Sequence, residues 1–303
     1  MTTSSPTAST ELLRPHVRRL TLDDLAACGD LAESRGWGRE AHKWRLLLTA
    51  GRGYGTDAPD RPGALAGAFV LTPYPALPGG RAYTCVSMVL VAERFARRGL
   101  GRHLMRHALS ESGDRAAFLS ATPNGRPLYE ELGFRPVGTS CMLRGPFTPA
   151  DGDDVRPAAV RPARAADLTA VRALDARAFG ADRTELLARL PAFADRFVVA
   201  HDPDDPHGTL TGFAASWPND GTTVLGPVVA HDTATAQKLI TDLALHAPGP
   251  VRFDLGGHHP ELGDWLRARG LTGDFSCTLM VRTAGDIPGD PALRFAPYSV
   301  ALG

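Results

Sequence analysis

Apolar positions along the chain follow two rhythms, and the pair recurs. Leu65–Thr72 and Ala82–Val91 are short runs crowded with apolar and β-branched residues and bounded by Pro or Gly, which predicts strands. From Leu100 to Ser110 the positions Leu100, Leu104, Met105 and Ala108 fall three and four apart, the spacing of one helix face. The same reasoning predicts helices over Leu22–Arg35, Glu40–Ala50 and Arg126–Leu132. It predicts strands over Ala116–Ala121 and Arg135–Leu143. Later in the chain it predicts strands over Phe197–Ala200, Leu210–Trp217, Thr222–Val229, Val251–Leu255 and Cys277–Val281, with helices over Thr235–Leu245 and Pro260–Arg269.

The second set repeats the first. VRRLTLDDLAA near residue 17 and VRPARAADLTA near residue 160 both offer a short strand, a polar turn and an Asp-Leu pair entering a helix, Asp24-Leu25 and Asp167-Leu168. LYEELGF and WLRARGL both end a helix on a glycine, Gly133 or Gly270, a residue suited to the left-handed conformation at a helix C-terminus. Between the halves, residues 145–159 are rich in Pro, Gly and Asp without apolar period, as a linker is. The expectation is a tandem duplication of one α/β domain. The expected division is residues 1–14 as a disordered tail, 15–144 as one domain, 145–159 as the linker and 160–303 as the second domain.

Composition narrows the function. The chain has 303 residues, 43% apolar and 22% charged, which suits a globular protein of two domains. Lys plus Arg and Asp plus Glu are both 33, so no basic excess points to nucleic acid. No apolar run is long enough to span a membrane. The opening MTTSSPTAST has neither the basic start nor the apolar stretch of a secretion signal. Four scattered cysteines without a CxxC pair read as reduced thiols, and the expected location is the cytoplasm. The Ala, Arg, Gly and Pro richness is associated with high-GC bacteria.

The chemistry concentrates between Val86 and Leu109. An apolar strand ends at Val91, and Arg97-Arg98-Gly99-Leu100-Gly101-Arg102 opens a helix. Bare amides at a helix start, the helix dipole and close approach at glycine together make an anion site, and flanking arginines suit a pyrophosphate. No Gly-Lys-Ser/Thr follows, so a nucleoside-triphosphate loop is not indicated. About thirty residues later comes ATPNGRPLYEELGFRPVG, residues 121–138.

With that second motif in place, the stretch from about residue 15 to 143 resembles the GNAT family of acyl-CoA-dependent N-acetyltransferases. The resemblance implies two GNAT-like domains in tandem, each a mixed, mostly antiparallel sheet flanked by helices. It implies acetyl-CoA as co-substrate. The amides of Arg98, Gly99, Gly101 and Arg102 would hold the pyrophosphate at the Leu100 helix start, with Arg97 beside them. Val89, Leu90 and Val91 would pair with the pantetheine arm, and the amide near Val89 would face the thioester carbonyl. Tyr129 would protonate the departing thiolate. The sequence departs from the family pattern in two places. Ala96 stands where Gln or Arg is usual, and Asn124 lies five rather than seven residues before the tyrosine.

An alkyl ammonium with a pKa of about 10 must lose a proton before it attacks, so a base is required. The developing oxyanion needs a preorganised donor, worth about 3 kcal/mol in comparable sites. Glu40, His42 and Glu93 are the base candidates, and Trp37 and Trp44 join the first two as candidate lining of the acceptor pocket, although Trp44 with Leu47 and Leu48 more often reads as core packing. Tyr129 has a plainer reading as a core aromatic. His103 and His107 lie one turn apart without a third ligand, so no metal is expected. His258-His259 is a further candidate near the acceptor.

The second half lacks these features. Asp232 and Thr233 occupy its turn, and Leu266 stands at the tyrosine position. Its expected jobs are shaping the acceptor pocket, adding stability or making a homodimer contact. The leading reading is acetylation of a small-molecule amine, with antibiotic modification as an analogy from architecture. A protein lysine or N-terminal acetyltransferase, a mycothiol-synthase-like enzyme and a non-catalytic acyl-CoA sensor remain as alternatives.

Overall fold

The computed structural model describes residues 15–150, 160–202, 205 and 208–303. The predicted tail, residues 1–14, and most of the predicted linker, 151–159, lie outside the described residues. The first half runs β1 (Arg18–Leu20), α1 (Leu25–Glu33), α2 (Ala41–Ala50), β2 (Arg52–Asp57), β3 (Leu65–Tyr74) and β4 (Tyr83–Val91). It continues through α3 (Leu100–Ser112), β5 (Ala116–Ala121), α4 (Arg126–Glu131) and β6 (Arg135–Gly145). The second half runs β7 (Val160–Pro162), α5 (Leu168–Phe179), α6 (Thr184–Leu187), α7 (Leu190–Phe193), β8 (Arg196–His201) and β9 (Leu210–Asn219). Then come β10 (Thr222–Ala230), α8 (Thr233–Leu245), β11 (Val251–Gly256), α9 (Pro260–Ala268), β12 (Ser276–Arg282) and β13 (Arg294–Ala296).

The repeat extends to side chains. Arg18 Nη2 lies 2.7 Å from Asp24 Oδ1, and Arg161 Nη1 lies 2.8 Å from Asp167 Oδ2, the same six-residue step in each half. Each aspartate also accepts an amide ahead of its helix, Thr21 N–H at 2.8 Å and Arg164 N–H at 2.7 Å. The Arg161 bond is the main reason the Asp167 carboxyl is held at about 2. A depressed carboxyl contributes stability above its unfolded value, and that contribution fades as pH falls from about 4 toward 2.

All thirteen strands join one sheet, with β1-β2-β3-β4-β5 continuing into β12-β6 and then β11-β10-β9-β8-β7, while β13 pairs with β10. Among the described residues, only β4·β5 and β10·β11 are parallel. The sheet is mixed and mostly antiparallel, flanked by helices, as the sequence predicts. What the sequence does not predict is the exchange at its centre. β12 of the second half pairs with β5 of the first, Thr278 opposite Ala121 and Val281 opposite Phe118. β6 of the first half pairs with β11 of the second, Leu143 opposite Phe253. The predicted boundary at residue 144 therefore falls at the end of a strand that belongs to the other half's sheet edge. Backbone hydrogen bonds carry no address, and the apolar pattern of β6 or β12 suits either partner.

Helix α3 packs on β3 at a distance that only glycine permits. A Cβ at Gly67 would stand 2.7 Å from Leu104 Cδ1 and 2.9 Å from the Leu90 carbonyl oxygen. This seating places the start of α3 above the end of β4.

Exchange makes the halves mutually dependent. Residues 15–146 alone would leave β5 and β6 without β12 between them, an unpaired apolar edge. Expressed separately, that fragment is expected to aggregate or bind a hydrophobic dye, and co-expression with residues 160–303 should yield a soluble complex on size exclusion. A monomeric fragment with cooperative unfolding would contradict the dependence.

Candidate active site

Strand β4 carries one residue too many for its partner. Ser87 pairs with Val70 but Leu90 with Ala68, so three steps on β4 match two on β3. The surplus is accommodated at Met88, whose φ of 49° is left-handed, a costly conformation for a side-chain-bearing residue. On its other side β4 pairs with β5 only from Tyr83 opposite Ala116 to Cys85 opposite Phe118. Past Cys85 the two parallel strands part. The resulting wedge leaves Val86–Val91 on one wall and Leu119–Ala121 on the other without a β4–β5 ladder, and an extended ligand with amide groups can pair with such an edge.

The mouth of this wedge is the turn before α3. Arg97 has φ 61°, and Gly99, with φ 83°, is the N-cap residue. No side chain caps the helix, so the amides of Leu100, Gly101 and Arg102 are left for a ligand. A Cβ at Gly101 would meet only Leu128 Cδ2 at 3.5 Å and Val91 Cγ2 at 3.7 Å, so the helix start opens onto the space between β4 and α4. Arg97 and Arg98 are exposed, while the Arg102 guanidinium is paired with Glu131. Together, turn, strand and helix fit a diphosphate followed by an extended amide-bearing arm.

Tyr129 projects from α4 and is buried. A Cβ at Gly125 would lie 2.9 Å from its Cε2, and the Phe134 ring meets it edge-on at 6.1 Å. Burial, and then the neighbouring Cys277, push the phenol up to about 12, so it stays protonated across the working pH range. Cys277 comes from β12, the strand lent by the second half, one residue past the Thr278–Ala121 pair. Burial first and Asp254 next raise its thiol to about 11.

The N-terminus of α2 meets the second half at a cleft of about 550 Å³, whose lining includes Glu40, His42, Asp195, Asn219 and Asp220. Glu40 holds a left-handed φ of 44° and donates its N–H to Asp220 Oδ2 at 2.9 Å. That approach needs Gly38, where a Cβ would stand 2.2 Å from the same oxygen. The Glu40 carboxylate accepts from Lys43 and lies 3.9 Å from Arg252, which in turn pairs with Asp254. Desolvation lowers the Lys43 pKa, and Glu40 opposes the shift. His42 Nε2 stands 2.8 Å from the Phe193 carbonyl oxygen, and its ring stacks on Phe193 at 4.2 Å. A carbonyl can only accept, which leaves His42 Nδ1 with its lone pair.

Glu40 and His42 are thus brought together. Glu93, by contrast, is exposed on a single 3-10 turn beside the α3 entrance. Trp44 is fully buried in the core and Trp37 is exposed, and neither lines the cleft. His103 Nε2 contacts the Pro15 carbonyl oxygen at 3.0 Å, and His107 packs edge-on to Tyr54. His259 is buried against the Phe295 ring at 3.8 Å, and its partner there is a strand the sequence did not announce.

That strand marks the contrast between the halves. β10 and β11 also part early, after Val224 opposite Arg252. Here β13 enters the opening and pairs with β10, Val228 opposite Ala296 and Val229 opposite Arg294. The following helix, α8, is capped by its own Asp232, which accepts Thr235 N–H at 2.7 Å. Leu266 is buried where the first half has Tyr129.

Comparisons with known proteins agree with this geometry. Residues 78–146 and 171–296 each match a domain family described as an acetyltransferase (GNAT) domain. The N-acetyltransferase YitH of Bacillus subtilis (strain 168), itself uncharacterized, is 32% identical over 196 residues, 63% of this chain and 67% of that protein. A Pyrococcus horikoshii protein assigned as an acetyltransferase superposes with TM-score 0.76 at 16% identity, covering 95% of both chains. A tandem GNAT protein from the clavulanic acid biosynthesis pathway superposes with TM-score 0.61 at 19% identity, covering 91% of this chain and 99% of that one. The chain is a tandem member of the GNAT family of N-acetyltransferases.

Proposed function

We propose that the first half binds acetyl-CoA in the wedge between β4 and β5, and that the acetyl group passes to an amine of a small molecule admitted through the cleft between the halves. The observation that carries this reading is the bulge at Met88 and the parting of β4 from β5, directly below an uncapped helix start. The diphosphate would be held by amides at Gly99–Arg102, with Arg97 and Arg98 adding charge. Val89, Leu90 and Val91 would pair with the pantetheine amides. The bound thioester supplies an activated acyl carbon, and the protein supplies position and proton handling.

The enclosed phenol of Tyr129 supports its role as the proton donor to the leaving thiolate, because it remains protonated around neutral pH. The cleft supports His42 as the group that takes the amine proton, directly or through water. Its Nε2 is fixed on Phe193 and its Nδ1 is free to accept, whereas the Glu40 carboxylate is engaged by Lys43. The cleft's size supports a small acceptor over a protein surface. The strand in the β10–β11 opening, the Asp232 cap and Leu266 support a single coenzyme site per chain. Four unpaired cysteines are consistent with a reducing compartment, and no helix among the described residues is long and apolar enough to cross a membrane.

Replacing Tyr129 with Phe should lower turnover at least about tenfold in a thiol-release assay, the usual scale of proton-transfer catalysis, with little change in melting temperature. Unchanged turnover removes the acid role. Calorimetric titration with acetyl-CoA should saturate at one equivalent per chain, and two equivalents would restore the second half as a site. Gly99→Val puts a β-branched residue at φ 83° and should weaken acetyl-CoA binding while leaving the far-ultraviolet spectrum unchanged.

A further inference from the structure

The β4–β5 wedge has a floor built from a distant part of the chain. The two strands part just after Cys85 opposite Phe118. Residues 297–303 cross to this point from the second half. The Cys85 thiol donates to the Ala301 carbonyl oxygen at 3.4 Å, and Tyr74 Oη donates to the Leu302 carbonyl oxygen at 2.6 Å. A Cβ at Gly303 would lie 2.9 Å from Phe118 Cε2, and the Phe118 ring is itself flanked by Tyr74 at 6.2 Å and Phe179 at 5.9 Å. The segment is anchored by Arg183, whose Nη1 donates to the Gly303 oxygen at 2.6 Å while its Nε and Nη2 hold Asp175 at 3.0 and 2.5 Å. Apart from the half-buried Gly303 these residues are buried, and the opposite face of the sheet is closed by Leu104 and Met105 of α3.

We infer that this floor, formed by Phe118 with residues 301–303, limits the acyl group to a short chain. The inference rests on the acetyl-CoA reading above and deepens it by naming the acyl class. A thioester held at the Met88 bulge points its acyl group down the wedge toward Cys85. Three residues of strand separate the two, about 10 Å before the van der Waals radii of the wall are subtracted. An acetyl group is short enough for this length. An octanoyl chain is not, and the floor cannot fold away cheaply, because moving it would leave the buried Tyr74 hydroxyl without its acceptor and Arg183 Nη1 without the Gly303 oxygen. The floor also makes the two halves one specificity unit, since residues 297–303 follow directly on β13 in the second opening.

The test is calorimetry of the full chain with free CoA, acetyl-CoA and octanoyl-CoA, on the wild type and on Phe118→Val and Leu302→Ala. Overpacking of a closed pocket costs enough to make octanoyl-CoA bind at least about tenfold more weakly than acetyl-CoA. Phe118→Val is expected to narrow that gap while leaving free CoA affinity unchanged, and Leu302→Ala is read in its place if the first variant does not fold. Equal binding of the two thioesters by the wild type overturns the floor, and so does a gap that neither variant narrows. Loss of all binding, free CoA included, would instead defeat the coenzyme reading on which the floor depends.

Discussion

One surplus residue in β4 governs the first half. With Met88 forced left-handed, the strand keeps its ladder to β3 but turns away from β5 beyond Cys85. Backbone groups that a regular sheet would satisfy internally are left facing a wedge, and the cost of leaving them unmet is what an extended amide ligand removes. The position of α3 is a consequence of the same strand. Its close seating over Gly67 places an uncapped helix start at the wedge's mouth. In the proposed reading, strand edge and helix start act as one site, one taking amides and the other taking phosphates.

The second half shows the same geometry resolved differently. Its strands part as well, but the opening is filled by β13, and its helix start is satisfied by Asp232. Here the edge that the first half leaves open is taken by the chain's own β13. What the second half contributes to the first is structural and local: the central strand β12 with Cys277, the Asp220 oxygen that holds Glu40, the Phe193 carbonyl that fixes His42, and the segment beneath Phe118. Through these contacts the second half shapes the first, whatever it binds itself.

Much of this was legible in the sequence where local rules decide. The α3 period, the Arg-Gly turn, the Asp-Leu helix starts and the strand β5 agree with the predicted spans. The strand β2 was not foreseen, because its glycines argue against a strand. They are there for packing: a Cβ at Gly53 would stand 2.4 Å from Leu48 Cδ2, and one at Gly55 3.0 Å from Leu20 Cδ2. The linker was predicted to start at Gly145, which instead ends β6. The exchange of β6 and β12 and the lodging of β13 are choices of partner, which no periodicity encodes. Trp44 with Leu47 and Leu48 reads as core packing as readily as pocket lining, and helix geometry does turn it into the core, while Trp37 is exposed. The bulge itself left no sign, since Met88 is an ordinary strand residue until its neighbour's register is known.

Amide hydrogen exchange with and without acetyl-CoA addresses the central claim residue by residue. The account predicts new protection confined to Val89–Val91 and to the amides from Gly99 to Arg102, with β10 and the start of α8 unchanged. Protection appearing at β10 and α8, or none along β4, would contradict it.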